Sequence, residues 1–335
     1  MLRYIVRRVL GAIPVLFGLS VILFLFLRLL PGEGPAEAIL GQHATPQLVA
    51  QINHTLGLDK PLYVQYIQYL GRLLHGDFGA SIVDGRAVSE EFLIRFPATV
   101  ELTIGALIFA VGLGIPLGRL AARHPNGWID GIVTVISLFG ISIPIFVLGY
   151  TLVFVFGVTL HWLPALGAID PRLQVNPVTH FPIIDAILMG KFNAVEDAVA
   201  HLILPSIALG SIPLAIVTRI TRASVIDVSN EDYVRTARAK GLAERRVDSR
   251  HIMRNAWLPV TTVIGLQVGS LLAGAVLTET VFTWNGVGSW VVSAIQNHDY
   301  IVVQSLILIF AVIFLTVNLI VDIGYAFLNP RIRYD

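Results

Sequence analysis

Two groups of residues in this sequence have types and spacing suited to chemistry. Nine of the 23 basic residues crowd between Arg219 and Arg254, around the stretch Glu231-Asp232-Tyr233-Val234-Arg235-Thr236-Ala237-Arg238-Ala239-Lys240-Gly241. Three carboxylates, Glu101, Glu279 and Asp322, fall within or beside otherwise apolar runs. A carboxylate at membrane depth is costly and often functional, whereas one near the end of a span serves as an interfacial or helix-pairing group. Glu101 and Glu279 sit near one end of their runs and Asp322 near the other, so the interfacial or pairing role is expected first. Glu279 is the one candidate to meet an ammonium group of a ligand. Absent residues narrow the chemistry further. With no cysteine there is no disulfide, thiolate metal site or cysteine nucleophile. The sequence has no Gly-x4-Gly-Lys-Ser/Thr phosphate loop, no His-Glu-x-x-His zinc motif and no Gly-x-Ser-x-Gly elbow. No catalytic residue and no metal site is therefore assigned, and ATP chemistry in this chain is not expected.

The elements that must position these residues are membrane helices. Hydrophobic types make up 55% of the 335 residues and charged types 13%, against roughly a quarter charged in soluble domains. Mean hydropathy is +0.76. Apolar runs near the ~20 residues that cross a bilayer predict an all-α integral membrane fold of six helices, at about 9–29, 99–119, 132–159, 201–221, 258–279 and 301–325. The first follows Arg3, Arg7 and Arg8 and lacks a small-x-small cleavage pattern before Pro31 and Gly32, so it is read as a retained helix and not a signal peptide. The third carries Pro144 after Ser142. It is read as one span, kinked or tilted, with two half-helices as the alternative. Six spans put both termini and sixteen basic residues in the cytoplasm and leave seven outside, which satisfies the positive-inside rule. A net charge of +1 gives no reason to expect nucleic acid.

The lengths between spans set the organisation. Residues 31–97 and 161–200 form long exterior segments, the first holding helix-compatible stretches at 46–56 and 61–74. Tyr63, Tyr66, Ile67 and Leu70 share a helical face there, expected on the outer membrane surface or against neighbouring helices. Residues 1–96 thus form an amino-terminal helix with its extracytoplasmic segment, 97–328 a five-span core and 329–335 a cytoplasmic tail. The last exterior loop, 280–299, contains Trp284-Asn285-Gly286 and Trp290 and reads as an interfacial turn with aromatic anchors.

Residues 219–259 form the one long cytoplasmic stretch. Ser229 is placed to cap a helix over 230–240 whose third position is Asp232, and Gly241 offers a left-handed stop. Ala237 and Ala239 are small enough for the helix to enter a groove of another protein, with Arg235, Arg238 and Lys240 as basic edges. An amphipathic segment over 244–256 then leads to Leu258-Pro259. The central string resembles the Glu-Ala-Ala-x3-Gly coupling motif of ABC importer permeases, here with Arg235-Thr236-Ala237 and Gly241 at the matching positions. The Tyr-Val-Arg-Thr-Ala-Arg-Ala-Lys-Gly form and Arg254-Asn255-Ala256 before Leu258-Pro259 look like the peptide-permease branch. So do Tyr4-Ile5-Val6-Arg7-Arg8, the turn Leu56-Gly57-Leu58-Asp59-Lys60-Pro61, Gln65-Tyr66, Gly76-Asp77-Phe78-Gly79, Ala98-Thr99-Val100-Glu101-Leu102 and Asn329-Pro330-Arg331-Ile332-Arg333. Pro31-Gly32-Glu33-Gly34-Pro35 departs from that branch's Pro-Gly-Asp-Pro.

The resemblance implies a type I ABC importer permease fold in a bacterial inner membrane. It implies a homologous second permease forming a heterodimer, two cytoplasmic ATPase subunits that bind ATP and Mg, and an extracytoplasmic peptide-binding protein. This chain would hold no cofactor itself. Glu231, Asp232, Tyr233, Arg235, Thr236, Ala237, Arg238, Lys240 and Gly241 would form the ATPase-coupling helix. Glu279, Trp284, Asn285 and Gly286 become candidates for the substrate pathway or for contact with the binding protein. Residues 176–177, 200–205 and 212–215 look most like dipeptide permeases; relatives for oligopeptides, nickel chelates, haem or glutathione share most motifs. A self-contained secondary transporter would call for paired charges at mid-membrane or an inverted repeat, and an intramembrane enzyme for a nucleophile and base at recognisable spacing. The sequence offers none of these.

Overall fold

The computed structural model describes residues 2–29, 45–55 and 59–328. In chain order the helices are α1 (Leu2–Leu29), α2 (Pro46–Thr55), α3 (Leu62–Leu74), α4 (Val88–Arg123), α5 (Trp128–Ser142), α6 (Ile145–Leu152), α7 (Pro182–Leu188), α8 (Phe192–Ser229), α9 (Asp232–Ala239), α10 (Met253–Val281), α11 (Val287–Gln296) and α12 (Tyr300–Leu328). Wider π-helical turns extend α6 over Val153–Thr159 and precede α10 over Val247–Ile252. Among the described residues there is no β-strand, only an isolated bridge between Ala80 and Ala87. The Pro31–Pro35 stretch, Leu56-Gly57-Leu58 of the expected turn and the tail from Asn329 lie outside the described residues.

Five stretches are long and apolar enough to cross a bilayer: Ile5–Phe26, Val88–Arg123, Phe192–Ser229, Glu244–Val281 and Tyr300–Gly324. A sixth crossing is available if α5 and α6 with its extension count as one broken span; they meet at 103°. The expected single third helix is thus two, and the cause is local. Pro144 has no N–H to donate and pushes the preceding residue out of the helical region; Ile143 is accordingly extended, with φ −89° and ψ 123°. Rows of exposed apolar side chains, such as Ile132, Phe139, Phe146 and Phe154 on this pair and Ile13, Phe17 and Ile22 on α1, would be a liability in water and suit hydrocarbon.

Several helices outrun their expected limits. The 36 residues of α4 span about 54 Å, well beyond a hydrocarbon core of about 30 Å. Its extra turns at 88–98 hold Glu90, Glu91 and Arg95, which lower the local hydropathy without interrupting the backbone; acidic residues in a first turn in fact favour the helix dipole. The 38-residue α8 likewise extends the expected 201–221 in both directions, so that 192–200 belongs to a helix and not to an exterior loop.

The chain divides into two compact units. The first takes residues up to Phe96 together with Ser289–Thr316. Within it, Phe24 of α1 packs edge-on against Tyr66 of α3, with ring centroids 5.2 Å apart, and Arg28 Nε donates to Gln65 Oε1 at 2.7 Å. The inward face of α3 is therefore Gln65, Tyr66 and Tyr69, while Tyr63 and Ile67 of the expected face are exposed. Asp299, at the start of α12, accepts hydrogen bonds from the Ser81 hydroxyl at 2.6 Å and the Ile82 N–H at 3.1 Å.

The second unit takes Pro97–Gly288 and the end of α12 from Val317. Its centre is α8, which lies against α5, α6, α7 and α10. It also meets α4 with almost no intervening side chain, since a Cβ at Gly118 would come within 2.5 Å of the Thr218 carbonyl oxygen and 2.7 Å of Thr221 Cβ. Close backbone approach of this kind suits membrane helices, whose association depends on packing. Gly118→Ala is expected to force the two helices apart and destabilise the protein by about 1–3 kcal/mol. The check is a melting curve of the purified protein in detergent, in which an unchanged Tm would contradict the close packing.

Candidate functional site

The helix expected over 230–240 is present, one turn shorter than predicted, as α9 over Asp232–Ala239. Its start differs in mechanism. Ser229 does not cap it, because α8 runs on through Ser229 and that hydroxyl donates to the Val225 carbonyl one turn back, at 2.6 Å. The cap position falls to Glu231, extended at φ −67° and ψ 144° with no side-chain cap bond. The stop is as expected: Gly241 has φ 74°, its N–H donates to the Arg238 carbonyl at 2.9 Å, and the Leu242 N–H reaches the Ala237 carbonyl at 3.4 Å. That pair of bonds is a Schellman motif, and the left-handed residue it requires is best supplied by glycine.

The faces of α9 divide sharply. Val234 and Ala237 are buried, packed with Val225 of α8, Val247 and Ile252 of the π-helical turn, and Met253 and Ala256 of α10. Ala237 is therefore small to fit this chain's own spans, which corrects the expectation that it enters a partner's groove. Glu231, Asp232, Tyr233, Arg235, Thr236, Arg238, Ala239 and Lys240 are all exposed. Tyr233 is braced by Asn255, whose amide donates to the phenol oxygen at 2.7 Å. Arg238 pairs with Glu244 at 2.8 Å, and that hydrogen bond raises the already high affinity of the guanidinium for its proton. Arg235 lies 3.5 Å from Asp232, an exposed pair worth little to stability.

Two ion clusters that sequence reasoning missed hold the helix ends near α9. Asp248, in the π-helical turn, accepts from Arg119 and Arg123 of α4, with Arg123 Nη2 at 2.5 Å. Asp130 at the start of α5 takes Arg222 of α8 in a two-pronged contact of 2.5 and 2.6 Å. The available signal was arginines four apart at the end of a span, opposite single acidic residues in basic surroundings.

The second candidate group lies between α4, α10 and the start of α11. Glu279 is fully buried and accepts the Thr99 hydroxyl at 2.7 Å, while Thr99 Oγ1 accepts the Val287 N–H at 2.9 Å. Gly286 lies so close that a Cβ there would sit 2.5 Å from the carboxylate. Trp284 is also fully buried, its indole N–H donating to the Ala98 carbonyl at 2.9 Å. It is a core residue, and the expected aromatic anchor at this position is not one. Of the four candidates for a pathway or binding-protein contact, Glu279, Trp284 and Gly286 are enclosed and Asn285 is exposed. The expected 280–299 loop is itself largely helical, since α10 continues to Val281 and α11 occupies Val287–Gln296. Of the other membrane carboxylates, Glu101 is buried and accepts the Ile183 N–H at the start of α7 at 3.4 Å, a pairing role, and Asp322 is half-buried on α12. Among the described residues no three His, Asp or Glu side chains cluster as a metal site would require.

The chain was compared with known proteins. Residues 114–334 match the family model described as "Binding-protein-dependent transport system inner membrane component", and residues 1–103 match the amino-terminal model of the same transport-system membrane component. The chain is 48% identical to a di/tripeptide transport system permease protein of Pseudomonas aeruginosa, covering all of both chains. It is 46% identical to the dipeptide transport system permease protein of Escherichia coli K12 over the whole chain and 99% of that relative. It is 43% identical to the E. coli K12 glutathione transport system permease protein, again over all of both.

Thr99 holds the enclosed Glu279 arrangement together, since one hydroxyl serves both the carboxylate and a backbone N–H. Thr99→Val keeps the shape and removes both bonds, leaving the buried Val287 N–H without this acceptor and the carboxylate one donor short, at a cost of about 1–3 kcal/mol. A Tm several degrees lower is expected, with Thr99→Ser close to wild type; equal melting of all three proteins would show that the hydroxyl is not needed.

Proposed function

The chain belongs to the family of binding-protein-dependent transport system inner membrane components, and from that premise we propose that it is the permease subunit of an ATP-driven importer of dipeptides and tripeptides. A second, homologous permease completes the pathway. Two ATPase subunits on the cytoplasmic side bind ATP and Mg and hydrolyse the nucleotide, and an extracytoplasmic binding protein delivers the peptide. Both termini and α9 face the cytoplasm in this reading, which is supported by the concentration of basic residues on that side. The chain itself carries out no bond-making or bond-breaking step.

One observation carries the assignment of α9: Val234 and Ala237 are already used against this chain's own spans, yet a largely polar face is left outward. A helix seated in this way suits contact with a second protein by charge and shape. ATP-driven closure of the ATPase pair would displace α9, and the spans on which it rests would exchange an inward-open arrangement for an outward-open one. Hydrolysis would then reset the cycle. Glutathione is a second substrate reading; the lower identity to the relative named for it, 43% against 48%, supports ordinary short peptides first.

Proteoliposomes holding both permeases and both ATPases, with the binding protein outside, are expected to accumulate a radiolabelled dipeptide only when ATP is enclosed. Preferential uptake of glutathione would overturn the substrate reading. On the exposed face of α9, Arg235→Glu with Lys240→Glu is expected to cut copurification of the ATPases by about tenfold or more through like-charge and shape conflict. Retention of the ATPases by that variant would refute the docking role.

A further inference from the structure

We propose that Asp248 is a positioning residue that clamps α9 to the end of α4, so that a push on α9 reaches the opposite end of the spans as one rigid movement. The proposal rests on the reading of α9 as the ATPase-docking helix and goes beyond it, naming how the push is passed on.

The contact has the properties of a clamp. The Asp248 side chain is 8% exposed and receives Arg119 Nε at 3.0 Å, Arg119 Nη2, and Arg123 Nη2 at 2.5 Å. The two arginines stand one turn apart in the last turns of α4, where positive charge is favoured by the helix dipole. The carboxylate sits one residue beyond Val247, which packs directly on Val234 and Ala237 of α9. Ile115 and Ala122 of α4 complete the same apolar cluster. Apolar contacts alone allow one helix to slide past another, because they have no preferred direction. A carboxylate gripped by two guanidinium groups fixes both direction and register.

α4 is fastened a second time, nearer its start. Thr99 and Ala98 are tied to Glu279 and Trp284, so α4 and the α10 segment are joined at two places along their lengths. Movement imposed on α9 therefore has two doubly joined helices through which to reach the Thr283–Val287 turn, where Asn285 is exposed.

Asp248→Asn is the informative variant. Arg119 and Arg123 are 34% and 52% exposed, so they keep access to water when the carboxylate charge is removed and no charge is stranded. Removing the arginines would instead strand a buried carboxylate and endanger folding. The complete transporter in proteoliposomes gives the readout, as peptide moved per ATP hydrolysed. Asp248→Asn is expected to lower this ratio about tenfold, a typical coupling effect, with ATPase copurification and Tm unchanged, and Asp248→Glu to recover most of the ratio. An unchanged ratio overturns the clamp. So does a fall that merely follows lost ATPase copurification or a lower Tm, which would mark a structural role. If Arg235→Glu with Lys240→Glu leaves docking intact, the reading of α9 itself has failed; if that variant loses the ATPases while Asp248→Asn couples normally, only the clamp has failed.

Discussion

A polar group held among membrane helices has to find its partner inside the protein, because hydrocarbon offers none. This constraint shapes α4 from one end to the other. Eleven residues in from its start Thr99 gives its hydroxyl to Glu279 and takes the Val287 N–H; in its last turns Arg119 and Arg123 share Asp248. Between them Thr103 turns its hydroxyl back on the Thr99 carbonyl at 2.8 Å, and Glu101 accepts the Ile183 N–H at 3.4 Å. The long helix can then pack through small residues along its length while its orientation is set at its ends. Asp130 and Arg222 apply the same solution where α5 meets α8.

The placement of these pairs bears on which contacts are firm. The ion pairs gather at the end of α4, the start of α5 and the last part of α8, with Asp248 next to the apolar cluster that seats α9. The enclosed Glu279 arrangement gathers at the turn between α10 and α11. Paired charges of low exposure resist sliding, whereas the apolar surfaces of α1, α5 and α6 remain open to lipid or to another subunit.

Hydropathy was enough to find the spans, since a run of apolar side chains is a requirement of the bilayer. It could not find where helices end, because the bilayer makes no demand beyond its own thickness; the first turns of α4, with Glu90, Glu91 and Arg95, read as loop for that reason. The break at Pro144 was visible as a residue but not as an angle, which depends on what the two halves pack against. Gly241 was legible because a positive φ is a local property. The Ser229 cap was not, because the hydroxyl had a competing acceptor in its own helix, at Val225. Trp284 misled most: an aromatic residue in a short loop between spans looks interfacial, and only the Ala98 carbonyl opposite its indole shows it to be core.

The inward turn of Ala237 changes what the motif around α9 expresses. If every small residue in it served to admit a partner, α9 would be a free recognition helix, and a partner's force would bend the loop around it. Val234, Ala237 and the left-handed Gly241 instead fit α9 to its own spans, while Asp232, Arg235, Thr236, Ala239 and Lys240 face out. A helix passes on force only when loaded on two sides. The same eleven residues thus encode a seat and a surface, and the spacing between them follows from the 3.6-residue turn that sets Val234 and Ala237 on one face and Arg235 and Ala239 on another.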